Sequence, residues 1–128
     1  MTARCRVLYV DDHEDSGFMF QQLLSLLNYE VRIAATMEEA LRLATSEEFD
    51  LYVLDRRLPD GSGIELCRQL NQISPGVAVI FYSGDAYELN RQEGLSAGAS
   101  EYISKPNIDK LVEAVRKLLA DKECATVA

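Results

Sequence analysis

Short apolar runs alternate with helix-period stripes along almost the whole chain. Residues 7–10 are apolar throughout, as expected of a strand covered on both faces. Phe20, Leu23, Leu24 and Leu27 then keep the i, i+3, i+4, i+7 spacing of one helical stripe. Residues 31–34 read as the second strand. Thr36 and Glu39 form a capping box that opens a helix with its stripe on Met37, Ala40, Leu41 and Ala44. Residues 51–54 are the third strand, and Ser62 with Glu65 opens a helix carried inward by Leu66, Leu70 and Ile73. The Pro75-Gly76 turn leads into a fourth strand over 77–82. A less regular helix over about 87–97 precedes a short strand at 100–103. The last helix, from about Ile108, shows Leu111, Ala114, Val115 and Leu118 on one face.

Five strands alternating with five helices predict an α/β fold, a parallel sheet covered on both sides. Right-handed crossovers leave few topologies, and the flavodoxin-like, doubly wound order 2-1-3-4-5 fits them. The 128 residues suit one domain over 1–128, with a core over about 6–120 and a short tail at 121–128. No repeat or internal linker divides the chain, and no further domain is expected after the last helix. That fits either a stand-alone domain or a piece of a larger protein.

Composition narrows the choice of function. A net charge of −8 without a basic patch disfavours direct contact with nucleic acid or an anionic membrane. No apolar run reaches membrane-spanning length, and the start lacks the order of a secretion signal. Cys5, Cys67 and Cys124 are odd in number and widely spread, so the expectation is free thiols in a reducing compartment, the cytoplasm.

In a sheet of this order, ligands gather at the carboxyl ends of the strands. The first strand ends in Asp11-Asp12, the third in Asp55, the fourth in Ser83 and the fifth in Lys105-Pro106. Strand two ends in Ala34-Ala35 and adds nothing ionic. Three crowded carboxylates repel, and a hard divalent cation relieves that repulsion. A carboxylate facing such an ion can act as a nucleophile toward phosphorus, with Lys105 and the Ser83 hydroxyl stabilising the charge on the phosphoryl oxygens.

Val10-Asp11-Asp12, Leu54-Asp55 with Leu58-Pro59-Asp60-Gly61, Tyr82-Ser83-Gly84, and Tyr102-Ile103-Ser104-Lys105-Pro106 together resemble the receiver domains of bacterial two-component response regulators. The resemblance runs from about Arg6 to about Ala120. It implies that Asp55 accepts a phosphoryl group from the phosphohistidine of a sensor histidine kinase or histidine phosphotransfer protein. It further implies Mg2+, with Mn2+ able to substitute, bound through Asp12, Asp55 and the Arg57 carbonyl, with Asp11 acting mainly through water. Lys105 and Ser83 would contact the phosphoryl oxygens. Tyr102 would turn inward behind Ser83 and remodel the face of helix four, strand five and helix five, where a downstream protein binds. The Lys105–Pro106 bond is cis in the family. A receiver of this kind phosphorylates and slowly dephosphorylates itself but turns over no metabolite, so it is not an enzyme in the ordinary sense.

Several positions depart from the family pattern. Ser83 replaces the commoner Thr, keeping the hydroxyl. Gly84 stands where Ala is common, and both leave the phosphoryl path open. Arg56-Arg57 sets two cations after the acceptor, and Asp85 is acidic; Arg57 and Asp85 are expected to meet over the site and control water access.

Plainer roles compete for each residue. Asp12 would cap helix one, Ser83 would cap helix four, Lys105 would be a solvated lysine, and Tyr102 would be plain core. His13, the single histidine, reads as an exposed helix-start residue, and Cys67 as apolar packing. Among other functions, a haloacid-dehalogenase-like hydrolase needs Asp-x-Asp where this chain has Asp11-Asp12-His13. A flavin binder needs a phosphate loop that Asp-Asp-His-Glu-Asp would repel. The alternative that survives is a degenerate receiver, a phosphorylation-independent binding module.

Overall fold

The computed structural model describes residues 5–84 and 87–120. The elements run β1 (Arg6–Val10), α1 (Glu14–Leu26), β2 (Glu30–Ala34), α2 (Met37–Ser46), β3 (Leu51–Leu54), β4 (Arg57–Leu58), β5 (Gly61–Ser62), α3 (Gly63–Ile73), β6 (Ala78–Ser83), α4 (Glu88–Ser96), β7 (Glu101–Ser104) and α5 (Ile108–Ala120). The main sheet is fully parallel in the order β2-β1-β3-β6-β7. Counting its five strands alone, this is the expected 2-1-3-4-5 arrangement.

Side-chain alternation along the strands divides the interior into two cores. Leu8, Val10, Tyr52, Leu54, Val79 and Phe81 pack toward α2 and α3. Val7, Tyr9, Leu51, Val53, Ile80 and Tyr82 pack toward α1 and α5. Both faces of β1, β3 and β6 are therefore covered, which is why these segments are apolar without alternation. The two expected N-caps hold. Thr36 Oγ1 accepts from Glu39 N–H at 3.1 Å while the Glu39 carboxylate takes Ala35 N–H at 2.9 Å. Ser62 Oγ accepts from Ile64 N–H at 3.1 Å, not from Glu65.

Differences from the expected elements are local. Leu27 ends α1 as its C-cap and is exposed, as is Ile73 at the end of α3. Leu119 joins the core while Leu118 is only partly buried, a one-residue rotation of the α5 stripe. The small antiparallel hairpin β4–β5 was not expected, because two-residue strands leave no periodic signal. Cys67 is a free, buried thiol. Cys5 is disulfide-bonded, which corrects the expectation of free thiols for that residue.

Candidate functional site

Three hydrogen bonds continue the parallel ladders one step past the strands. Asp11 N–H donates to the Ala34 carbonyl at 3.0 Å, Asp55 N–H to the Val10 carbonyl at 2.9 Å, and Lys105 N–H to the Ser83 carbonyl at 2.9 Å. The residues just beyond β1, β3 and β7 are thereby fixed side by side, with Ser83 as the last residue of β6. A pocket of about 490 Å³ opens there, lined by Asp12, His13, Asp55, Arg57, Ser83, Gly84 and Lys105 among others. The convergence expected from the strand ends is present.

Lys105 holds the acidic side of this pocket together. Its Nζ donates to Asp11 Oδ2 at 2.6 Å and to Asp55 Oδ2 at 3.1 Å. Burial on its own would lower the ammonium's pKa, but its bond to Asp11 and the charge of Asp55 reverse this, and the net direction is up. Asp11 is only 3% exposed and also accepts from Tyr9 Oη at 3.0 Å and His13 N–H at 3.0 Å. Burial pushes its carboxyl up, yet Lys105 and His13 hold it below the usual carboxylate range. Burial beside Asp11 pushes the Tyr9 phenol well up, so it stays a neutral donor.

Asp55 is 6% exposed, and its Oδ1 accepts a long 3.4 Å bond from Arg57 N–H. Asp12 is open to solvent; the N-cap of α1 is His13, not Asp12, and it caps without its side chain. His13 is exposed, as expected, but its Nδ1 lies 2.9 Å from Asp11 Oδ1 and 3.4 Å from Asp12 Oδ1. Ser83 is buried, and a Cβ at Gly84 would meet nothing within 4 Å, so the pocket mouth is open there. Arg57 lines the rim. Asp85 lies outside the described residues. Tyr102 is turned inward, buried and stacked on Phe81 with ring centroids 5.6 Å apart. The Lys105–Pro106 bond is cis.

Ligand atoms of Asp11, Asp12, His13 and Asp55 all lie within 4.8 Å of one another. Oxygen donors at this spacing suit a hard divalent ion that keeps some of its water, so the donor set fits Mg2+.

The family described as the response regulator receiver domain matches residues 7–116. The chain belongs to this receiver family. It is 36% identical over 121 residues to the alkaline phosphatase synthesis transcriptional regulatory protein PhoP of Bacillus subtilis (strain 168), covering 94% of this chain and 50% of that protein. The chain thus spans about half the length of the curated relatives it matches. Among solved structures, a CheY-like response regulator receiver domain protein from Methanospirillum hungatei JF-1 superposes with a TM-score of 0.87 at 37% identity, covering 93% of this chain and 96% of that one. The non-phosphorylated HemR receiver domain from Leptospira biflexa gives 0.86 at 30% identity, covering 95% and 99%. Receiver domains are phosphoacceptor signalling domains that interact with histidine kinases and bind Mg2+ at an acidic pocket, and this receiver carries that acidic group. Among its described residues, no helix is long and apolar enough to cross a membrane.

Four structural contributors escaped the sequence reading. A Cβ on Gly63 would come within 2.0 Å of the Asp55 carbonyl oxygen, so only glycine lets α3 start against the acceptor loop. A glycine opening a helix, where it is disfavoured, was the available signal. Asp60, at the tip of β4–β5, accepts from Met37 N–H at 2.8 Å and Glu38 N–H at 3.0 Å, capping α2 from another segment. Arg56 reaches Glu93 of α4 at 2.6 Å. Neither contact has a local sequence signature. The Tyr9–Asp11 bond had one: a tyrosine within an apolar strand must find a partner for its hydroxyl.

Proposed function

We propose that this receiver is an active phosphoacceptor in which Asp55 takes a phosphoryl group from a phosphohistidine. Asp55 Oδ1 attacks phosphorus, the O–P bond forms, the P–N bond breaks, and the departing imidazole is reprotonated from solvent. Lys105, already 3.1 Å from Asp55 Oδ2, neutralises the phosphoryl oxygens, and the buried Ser83 hydroxyl donates to one of them. Asp12, Asp55 and the Arg57 carbonyl hold Mg2+, with Asp11 acting through water; Mn2+ substitutes. When bound, the ion supplies charge neutralisation between attacking carboxylate and phosphoryl group. The observation that carries this reading is the two-point contact of Lys105 with Asp11 and Asp55, which brings an ammonium and an acidic cluster to one pocket.

Output runs through Tyr102 and the face of α4, β7 and α5. A groove of about 440 Å³ lies on that face, lined by Arg91, Leu95, Tyr102, Asn107, Lys110 and Lys117 among others. A downstream protein is the expected occupant; the net charge of −8 argues against DNA binding by this domain itself. Residues 1–128 act as one domain, and the sensor histidine kinase or phosphotransfer protein is its donor. The cytoplasm is its compartment by its membership of the receiver family, since the Cys5 disulfide removes the free-thiol argument for it. Self-catalysed phosphorylation and dephosphorylation are its only chemistry. The degenerate, phosphorylation-independent reading has no observation in its favour, since the required side chains converge.

Incubation with a small-molecule phosphodonor and Mg2+, followed by intact-mass measurement, tests the proposal. One added phosphoryl group, absent with EDTA and absent in Asp55→Asn, is expected. No mass gain in the unsubstituted protein, or an equal gain in Asp55→Asn, overturns it.

A further inference from the structure

The acidic pocket contains one group that a hard-ion site does not need. His13 Nδ1 lies 2.9 Å from Asp11 Oδ1 and 3.4 Å from Asp12 Oδ1, inside the same 4.8 Å cluster as Asp55. Neighbouring ligands around an octahedral ion with bonds of about 2.1 Å sit about 3.0 Å apart, and opposite ones about 4.2 Å. The imidazole nitrogen and Asp12 Oδ1, an oxygen proposed to hold the ion, are 3.4 Å apart, close to the spacing of adjacent corners of one coordination shell. Resting on the metal reading above, we infer that His13 Nδ1 is an inner-sphere ligand for borderline first-row cations, giving this pocket a selectivity for Co2+, Ni2+ or Zn2+ that its carboxylates alone would not have.

The position of the ring is built rather than incidental. Asp11 Oδ1 accepts from both the backbone N–H of His13, at 3.0 Å, and its ring nitrogen. The backbone bond does not involve the ring, so Nδ1 can exchange Asp11 for an ion without the loop changing shape. The N-cap backbone of His13 is extended, at φ −87° and ψ 104°, which sets the residue at the junction between the acidic doublet and α1. Its side chain is 68% exposed, so an ion and its remaining waters have access from solvent. Mg2+ holds its water strongly and takes oxygen donors, so it leaves the imidazole outside its first shell. Cobalt, nickel and zinc accept imidazole readily, and their affinities for mixed N/O sites rise well above those of harder ions. The inference concerns which cations the pocket accepts and by what atom; it adds no step to phosphoryl transfer.

The chain has a single histidine, which makes the test direct in untagged protein. Co2+ titration at pH 8, followed by proton NMR, should show hyperfine-shifted imidazole resonances that disappear in His13→Ala. Calorimetry should show the ratio of Co2+ to Mg2+ affinity falling by about tenfold in His13→Ala. Bound Co2+ without shifted imidazole resonances, or an unchanged ratio in His13→Ala, overturns the inference while leaving the Mg2+ reading intact. Failure of both cations to bind, or binding that Asp12→Asn leaves unaltered, overturns the Mg2+ reading and this inference with it.

Discussion

Lys105 Nζ lies closer to Asp11 Oδ2, at 2.6 Å, than to Asp55 Oδ2, at 3.1 Å. The ammonium thus compensates the buried member of the acidic doublet first and the acceptor second. Asp11 is held below the ordinary carboxylate range and Lys105 above the ordinary ammonium range. A depressed Asp contributes stability that is present above its unfolded pKa and lost as pH falls through the folded value. A raised Lys contributes stability that is present below its unfolded pKa and lost as pH rises through the folded value. The Asp11–Lys105 contribution therefore fades below about pH 4 and above about pH 10.5. His13, whose pKa the bond to Asp11 raises, adds stability that is present below its ordinary value and lost as pH rises through the raised one. Urea midpoints measured against pH in the unsubstituted protein and in Lys105→Met should differ between those limits, with a step where His13 titrates because Lys105 opposes its protonation, and converge outside them.

Removing the ammonium strands two buried carboxylates. Lys105→Met should cost about 2 kcal/mol, less than the 3–5 kcal/mol typical of breaking a fully buried pair because the pocket is open to water. Mg2+ should restore part of the loss, raising the melting temperature of the variant more than that of the unsubstituted protein. Equal shifts in both would show that Lys105 does not share its carboxylates with the ion.

Gly63 is a steric requirement of the acceptor loop. Gly63→Ala drives a Cβ into the Asp55 carbonyl, where neither atom can yield without backbone movement. A destabilisation of about 3 kcal/mol or more is expected in denaturant titration. Gly61→Ala is the control: its Cβ would meet only the Met37 sulfur, at 2.7 Å, and a flexible thioether can move aside.

Asp60 ties the segment after the acceptor to the start of α2. Its carboxylate is held below the usual range by the two α2 backbone donors, Met37 first. Asp60→Ala should speed amide exchange at Met37 and Glu38 by about tenfold relative to the middle of α2. Unchanged protection at both amides would mean that the cap is not formed in solution.

Gly94 of α4 faces the Tyr102 ring: an added Cβ would lie 2.8 Å from Tyr102 Cδ2 and 3.1 Å from Phe81 Cδ2. Gly94→Ala should push Tyr102 out of its stack, at a cost of about 1–3 kcal/mol. The check is solvent accessibility of the Tyr102 ring, read by NMR, and phosphorylation-dependent target binding should change with it.

The sheet order and the strand-end pocket were legible because burial on both faces writes unbroken apolar runs into residues 7–10 and 51–54, and each run hands over abruptly to a charged or hydroxyl residue. Helix starts were legible at Thr36 and Ser62 for an equally local reason. What escaped was everything made between distant segments. Asp60 on α2, Arg56 on Glu93 and Gly63 against Asp55 depend on how elements dock, and no spacing rule encodes that. His13 lay between the two classes: its position was obvious, but the turn of its ring toward Asp11 follows from side-chain packing.

The contact from Lys105 to Asp11 joins residues 94 positions apart. During synthesis, the acidic doublet, the acceptor and the hydroxyl all leave the ribosome before the cation that balances them. A nascent chain stopped short of β7 would hold its negative charges together without the ammonium that bridges Asp11 and Asp55 in the finished fold, leaving ions from the surrounding fluid to take its place. Magnesium in the medium is thus expected to matter to this fold before any signal arrives, as a temporary stand-in for a lysine not yet made.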